Sequence, residues 1–169
     1  MKKLLLATLL LQQLGASTIE KSGDTLLLLL PATALATTFY HDDAQGRMQF
    51  YKGAGTNLAT TLALKYAIDK TRPDGSDNNS FPSGHTSVTF QAASFIHRRY
   101  GVAYGLPAYA LATYTGYTRI QADKHYLTDV LAGATIGLLS SYAFTTANGV
   151  HYAPIMIEGR YGVGLSKAW

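Results

Sequence analysis

The chain has 169 residues, enough for one domain with its own core and too few for two domains of ordinary size. It contains no cysteine, which excludes disulfides, cysteine-ligated metals and thiol catalysis. The formal net charge is +4, but two of the 14 basic side chains are Lys2 and Lys3 at the extreme N-terminus. The rest of the chain is close to neutral, which argues against a nucleic-acid-binding surface.

Residues 1–17 have the pattern of a secretory signal peptide. Two lysines precede an apolar run over residues 4–11, and small residues follow at 15–17. The run is shorter than the roughly 20 residues that span a bilayer. We therefore expect residues 18–169 to form the mature domain of an exported bacterial protein, in the periplasm or at the periplasmic face of the inner membrane. An uncleaved anchor helix is the alternative.

The remaining chain predicts one all-α domain, a bundle of about five helices. The expected helices cover residues 24–40, 50–70, 86–100, 107–120 and 125–146. Pro31 is expected to kink the first helix or to delay its start. Small residues in the last helix should permit close packing, namely Ala132, Gly133, Ala134 and Gly137. A short C-terminal hairpin is expected from residue 151 onward, turning at Glu158-Gly159.

The tetrapeptide Pro82-Ser83-Gly84-His85 precedes the third expected helix. Ser83 suits a helix N-cap, and Gly84 lets the backbone approach a bound group closely. The free N–H groups of a helix start suit an oxyanion such as phosphate, and His85 adds a proton donor there. An ordinary capped helix with a surface histidine is the alternative interpretation of these four residues.

A second cluster lies at Thr118-Arg119, His125 and Asp129. His125 and Asp129 are four residues apart, so on a helix they share one face. A carboxylate that binds one ring nitrogen leaves the other nitrogen as a nucleophile. A helix-start histidine beside an acidic neighbour is the alternative. His41 and His97 are expected in a polar turn and at a solvated helix end, without a catalytic role.

Three cations, Lys65, Arg72 and Arg119, are each expected near a helix end. If the fold brings them together they repel one another unless an anion sits among them. Arginine matches phosphate oxygens, and the Ser83 hydroxyl and Gly84 N–H can complete such a cradle. Two histidines would then flank the phosphorus, one to attack it and one to protonate the leaving oxygen.

In this order and spacing, the residues resemble the signature of the phosphatidic acid phosphatase type 2 superfamily. The matching positions are Lys65, Arg72 and Pro73, then Pro82, Ser83, Gly84 and His85, then Arg119, His125 and Asp129. The superfamily includes lipid phosphate phosphatases, bacterial non-specific acid phosphatases and vanadium haloperoxidases. Thr118 stands where the family usually has serine and keeps the hydroxyl. The resemblance spans about residues 50–145.

The resemblance implies a phosphatase that needs no metal or other cofactor. His125 would attack phosphorus and become a phosphohistidine, oriented by Asp129, and His85 would protonate the leaving group. The phosphoryl oxygens would be held by Lys65, Arg72, Ser83, Gly84 and Arg119. The substrate would be a phosphomonoester or diphosphate. Alternatives are a broad-specificity soluble periplasmic acid phosphatase, a vanadate-dependent haloperoxidase and a non-enzymatic head-group-binding module.

We expect a lipid phosphate as the substrate. The apolar stretch 26–30 and the Ala- and Tyr-rich helices offer a weakly polar flank for acyl chains, while Asp74 and Asp77 in the loop 74–80 should repel a second anionic group. Only 14% of residues are charged, against roughly 25% in soluble domains, so we expect membrane contact. The apolar windows 25–39 and 130–144 fall short of ordinary spans, which favours a periplasmic domain over an integral bundle.

Overall fold

The structure is a computed structural model. It describes the backbone of residues 2–148, 150–157 and 160–167, and the side chains of residues 18–148 and of Met156. The predicted signal peptide lies outside the described side chains and stays a prediction. The helices are α1 (Lys2–Tyr40), α2 (Ala44–Ala67), α3 (Gly84–Tyr100), α4 (Val102–Gln121) and α5 (Leu127–Phe144). This arrangement confirms the predicted all-α bundle.

The helices alternate in direction, because all connections except the loop 68–83 are only a few residues long. α3 lies in the middle and packs against each of the other four helices. We call the end where α2 and α4 finish and α3 and α5 begin the site end. The opposite end, where α1 meets α2 and α3 meets α4, is the far end.

Pro31 lies inside α1, so the expectation that this helix starts only after the proline is wrong. Leu30 and Ala34, one residue before and three residues after the proline, are buried in the core. This packing offsets the hydrogen bond that a proline removes from a helix. α4 also begins earlier than expected, directly after Gly101, whose φ of 99° reverses the chain between α3 and α4.

The interior is built from small and polar side chains. Its apolar cluster contains Ala34, Ala92, Ala93, Ala108 and Ala112 around a few larger residues. A Cβ on Gly133 or Gly137 would overlap the carbonyl oxygens of Ser83 and Ser87, so α5 touches the α3 backbone at these two positions. This contact confirms the prediction of close packing and fixes the start of α5 against the start of α3.

Two helical segments are long and apolar enough to cross a membrane, by length and composition alone. They are Thr18–Tyr40, with 23 residues, and Leu127–Phe144, with 18. The expectation that both windows fall short of spanning length is therefore wrong. Core helices of soluble proteins and signal sequences can have the same length and composition.

The C-terminal segment forms the expected hairpin. β1 (Val150–Ile157) pairs antiparallel with β2 (Arg160–Lys167), with Val150 opposite Lys167. The predicted turn residues, 158–159, lie outside the described residues.

Candidate active site

The site end gathers all eight residues that the sequence singled out. Lys65 lies in the last turn of α2, Arg72 in the loop 68–83, and Arg119 in the last turn of α4. Ser83, Gly84 and His85 lie at the start of α3. Asp129 lies in the first turn of α5, but His125 comes two residues before that helix, so the expectation that the two share one helix face is wrong. The loop 68–83 is tied to α5 because the Ser83 amide donates to the Asp129 carbonyl over 3.0 Å.

His125 is buried, and its ring is fixed by the backbone of the loop. Nδ1 lies 2.7 Å from the carbonyl oxygen of Ser80. A carbonyl can only accept, so Nδ1 carries the hydrogen. In the neutral imidazole, Nε2 then holds the free lone pair. The ring is thus prepared to act as a nucleophile through Nε2.

Asp129 does not bind His125 directly, contrary to the expected carboxylate–imidazole bond. Its Oδ2 lies 3.9 Å from His125 Nδ1. The fully buried carboxylate instead accepts from the Ser80 hydroxyl over 2.6 Å, from the Tyr126 amide over 3.0 Å and from the Lys70 ammonium. Asp129 therefore orients His125 through Ser80, the residue whose carbonyl holds the ring.

Burial and nearby positive charge keep His125 neutral. Burial in the bundle lowers its pKa to about 4, and the charges of Arg72 and Lys65 add to the effect. A neutral imidazole at pH 7 has the free lone pair that nucleophilic attack requires. The same two cations would attract a phosphate to this ring.

Lys65 and Arg72 supply positive charge near His125. Lys65 Nζ donates to the Asn79 carbonyl over 2.6 Å, and Arg72 Nε donates to Asp77 over 2.7 Å. Burial lowers the pKa of Lys65, and the repulsion from Arg72 lowers it further. An anion bound between the two cations would relieve their mutual repulsion.

The start of α3 faces Lys65. A Cβ on Gly84 would lie 3.9 Å from Lys65 Cε, so the missing side chain leaves open space between the two residues. Ser83 occupies the N-cap position, but its buried hydroxyl lies 3.0 Å from the Thr86 hydroxyl and makes no capping bond. The first N–H groups of a helix have no intrahelical acceptor and can bind an anion.

His85 and Arg119 meet at a carboxylate that the sequence analysis did not select. Oδ1 of Asp24, in α1, lies 2.8 Å from His85 Nε2 and 3.0 Å from Arg119 Nη1. Arg119 Nη2 also donates to the Glu20 carbonyl over 2.6 Å. Burial and the charge of Arg119 lower the pKa of His85, whereas Asp24 opposes that shift.

Sequence reasoning also missed Ser80 and Lys70, which support Asp129 and His125. Nothing in their local pattern marks them, because their contacts depend on how the loop 68–83 folds back on α5. A signal for Asp24 did exist, since it is the last charged residue before the apolar segment 25–40.

The loop 74–80 is less repulsive to anions than expected. Asp74 pairs with Lys124 at 2.8 Å, and Asp77 pairs with Arg72 at 2.7 Å. Both carboxylates are therefore offset by neighbouring cations. These ion pairs weaken the repulsion that we expected between this loop and a second anionic group.

The other histidines with described side chains lie away from the site. His41 stacks on Tyr100 at the far end, with ring centroids 5.1 Å apart. His97 packs edge-on against Tyr109 at 5.6 Å. In the described part of the chain, no group of three or more His, Asp or Glu residues has the arrangement of a metal site.

Residues 4–152 match the family model described as the PAP2 superfamily. The chain is 29% identical over 174 residues to a lipid A 4'-phosphatase of Helicobacter pylori, covering 92% of this chain and 87% of the relative. It is 42% identical over 80 residues to a lipid A 1-phosphatase of Porphyromonas gingivalis, which is 46% of this chain but only 18% of that relative.

The crystal structure of Aquifex aeolicus LpxE has the same fold. It superposes with a TM-score of 0.67 at 20% identity and covers 77% of this chain and 84% of that one. The family match extends over most of the sequence, and the two relatives described above are named as phosphatases. The chain therefore belongs to the PAP2 superfamily, and this membership indicates a phosphatase.

Proposed function

We propose that the protein hydrolyses a phosphomonoester or diphosphate of a membrane lipid through a phosphohistidine intermediate on His125. The observation that carries the proposal is the bond from His125 Nδ1 to the Ser80 carbonyl. It leaves the Nε2 lone pair free in a buried ring beside Lys65 and Arg72, where a phosphate would be drawn by charge.

In the proposed first step, the phosphoryl oxygens lie among Lys65, Arg72, Arg119 and the amides at the start of α3. His125 Nε2 forms a bond to phosphorus as the bond from phosphorus to the leaving oxygen breaks. His85 gives its proton to that oxygen, which departs as an alcohol or a phosphate. The cations stabilise the charge that develops on the phosphoryl oxygens.

In the second step, water attacks the phosphohistidine. His85, now neutral, takes a proton from this water, and the bond between phosphorus and His125 breaks. Inorganic phosphate leaves, His85 is again protonated and His125 is again neutral. Acid–base catalysis of this kind contributes about 10²- to 10⁴-fold to a rate. These steps use only groups of the chain, so we expect activity to survive EDTA.

An apolar groove beside the catalytic residues supports a lipid substrate. A cavity of about 220 Å³ runs between α1, α2 and α3, with Lys65, Gly84 and His85 at one end. Its remaining walls are largely apolar, with Leu27, Leu58, Leu62 and Val88 among them. A phosphate held by the cations would place the start of an attached acyl chain in this groove.

The outer surface supports a membrane context. Large apolar side chains lie exposed on the helices, including Leu28, Leu29, Leu58, Leu106, Leu131 and Leu139. The interior, by contrast, is rich in buried threonine, serine and alanine. Small and hydroxylated residues at helix contacts, with leucine facing outward, are typical of helices packed in lipid. The named lipid A phosphatases among the relatives make lipid A the first substrate to test.

The substrate proposal is tested with purified protein in detergent. Release of inorganic phosphate is compared for lipid A, for phosphatidic acid and for glucose 6-phosphate at matched concentrations. We expect turnover of at least one lipid phosphate to exceed that of the sugar phosphate by tenfold or more, because acyl burial contributes about 0.8 kcal/mol per methylene before the costs of binding. Equal or faster hydrolysis of glucose 6-phosphate would overturn the lipid proposal.

The covalent step has its own test. A rapid acid-free quench of a ³²P-labelled substrate should trap label on wild-type protein and not on His125→Ala. Vanadate should inhibit, because it resembles the transition state. Loss of activity in EDTA with recovery on adding magnesium or zinc would contradict the metal-free mechanism.

We further propose that the site end faces the periplasm of an exported protein. The absence of cysteine allows single labels to be placed at will. Ser76→Cys marks the exposed loop at the site end, and Ala44→Cys marks the exposed start of α2 at the far end. A maleimide that does not cross the inner membrane should label Ser76→Cys in cells with a permeabilised outer membrane. Labelling of Ala44→Cys alone would reverse the orientation.

A further inference from the structure

Asp24 is placed against two groups of the site at once. The same oxygen, Oδ1, lies 2.8 Å from His85 Nε2 and 3.0 Å from Arg119 Nη1. The side chain is about half exposed, at 51%, whereas that of Arg119 is 3% exposed. The half-exposed carboxylate therefore connects α1 to the start of α3 and to the end of α4.

The backbone of α1 fixes this position. A Cβ on Gly23 would lie 2.7 Å from Arg119 Nη2 and closer still to the Thr118 hydroxyl, so α1 and α4 touch at this glycine. One turn earlier, the Glu20 carbonyl accepts from Arg119 Nη2 over 2.6 Å. Asp24 is thus the residue after the glycine at which α1 and α4 touch. This contact sets the distance between Asp24 and His85.

The charges around His85 are mostly positive. Arg119 from α4 and Arg72 from the loop 68–83 disfavour a proton on His85, and Lys65 of α2 lines the same groove. Asp24 is the carboxylate that opposes them. A histidine among cations loses its proton readily, yet the proposed leaving-group step needs that proton.

We propose that Asp24 is a positioning residue that orients His85 and keeps it protonated for the leaving group. With Nε2–H donated to the carboxylate, Nδ1 is left to face the leaving oxygen, and within the described chain no group bonds it. When the bond from phosphorus to the leaving oxygen breaks, the Nδ1 proton moves to that oxygen while Nε2–H stays on Asp24. This inference rests on the proposed phosphatase function and adds α1 to the catalytic arrangement.

The kinetic test uses Asp24→Asn, which keeps an acceptor oxygen and removes the charge. We expect kcat to fall about 10- to 100-fold with KM changed less than threefold. The basic limb of the kcat–pH profile should move to lower pH, because His85 loses its proton earlier. Asp42→Asn, an exposed carboxylate at the far end, is the matched control. Within a His85→Gln background, Asp24→Asn should cost little more.

A second readout does not depend on activity. Titration of ¹⁵N-labelled histidines by NMR should show the His85 pKa lower in Asp24→Asn than in wild type, with His41 and His97 unchanged. If wild-type protein turns over no phosphate ester, the proposed function fails, but this titration still decides the role of Asp24. An unchanged His85 titration overturns the inference. So does faster turnover with tighter vanadate binding in Asp24→Asn, which would make Asp24 a competing anion.

Discussion

The two ends of the bundle each bury one arginine, and the two arginines differ in how the protein compensates their charge. Arg99 at the far end and Arg119 at the site end are both 3% exposed. Arg99 donates to both oxygens of the buried Asp43 and to the carbonyls of Thr146 and Ala147. Its charge is therefore neutralised within the protein, and its fork is occupied in the bidentate way that arginine favours.

Arg119 has weaker internal compensation. Its carboxylate partner, Asp24, is half exposed and is shared with His85. Lys65 and Arg72 add further positive charge nearby. Asp77, the carboxylate that pairs with Arg72, is exposed to solvent. A closed network stabilises the fold, whereas an under-compensated one is ready for an external anion. We therefore assign structural work to the far end and chemistry to the site end.

The largest effect is expected for His125→Asn, which tests whether the site end carries the chemistry. The asparagine side-chain amide can still donate to the Ser80 carbonyl. We expect turnover to fall by 10⁴-fold or more, because the nucleophilic nitrogen is gone, with little change in melting temperature. His97→Gln, an exposed histidine outside the site, should keep wild-type activity. A His125→Asn enzyme that retains more than a few per cent of turnover would refute the nucleophile assignment.

Arg99→Met tests the far end. We expect the free energy of unfolding to fall by about 3–5 kcal/mol, because Asp43 keeps a buried charge without its partner. The kcat of the folded fraction should stay near wild type. Arg119→Met should show the reverse, with turnover reduced at least 10²-fold and a smaller loss of stability. Stability is measured by denaturant titration and turnover by phosphate release, on both variants. If the two substitutions changed stability equally and turnover equally, the two ends of the bundle would not differ in role.

Acid should weaken the site end first. The pKa of His125 is held at about 4 by burial and by Arg72 and Lys65, against 6.5 in the unfolded chain. The unfolded state thus binds more protons between these values, so stability is full above pH 6.5 and falls as the pH drops towards 4. The expected loss is roughly 3 kcal/mol. Between pH 6.5 and 4 the free energy of unfolding should depend less steeply on pH in His125→Asn than in wild type. An equally steep loss in the variant would exclude His125 as the cause.

The smallest expected effect comes from two glycines. Gly23→Ala places a methyl group against Thr118 and Arg119, and we expect a loss of about 1–3 kcal/mol together with reduced turnover. Gly55→Ala, on an exposed face of α2 with open space around it, should stabilise by up to about 1 kcal/mol and leave turnover unchanged. Melting temperatures and phosphate release would show this, and a Gly23→Ala variant as stable and as active as wild type would contradict the close α1–α4 contact.

Much of the fold and of the site could be predicted from local pattern. The helical pattern predicted the five helices, and the small residues in α5 predicted its close contact with α3. A helix can be predicted from the sequence because its apolar residues recur at a short, regular spacing. α1 continues through Pro31, although a late start was one expectation, because burial of Leu30 and Ala34 outweighs the local preference of proline. α4 begins before Pro107, which lies inside that helix and not at its first position.

The sequence by itself determined the class of fold and the family signature, since both depend on residue type and on spacing along the chain. Only the tertiary structure decided which groups hold His125 and His85. Ser80, not Asp129, binds His125, and Asp24 reaches His85 from 61 residues away. Such contacts arise from the packing of distant helices, and no local pattern encodes the partner of a side chain across a helix interface.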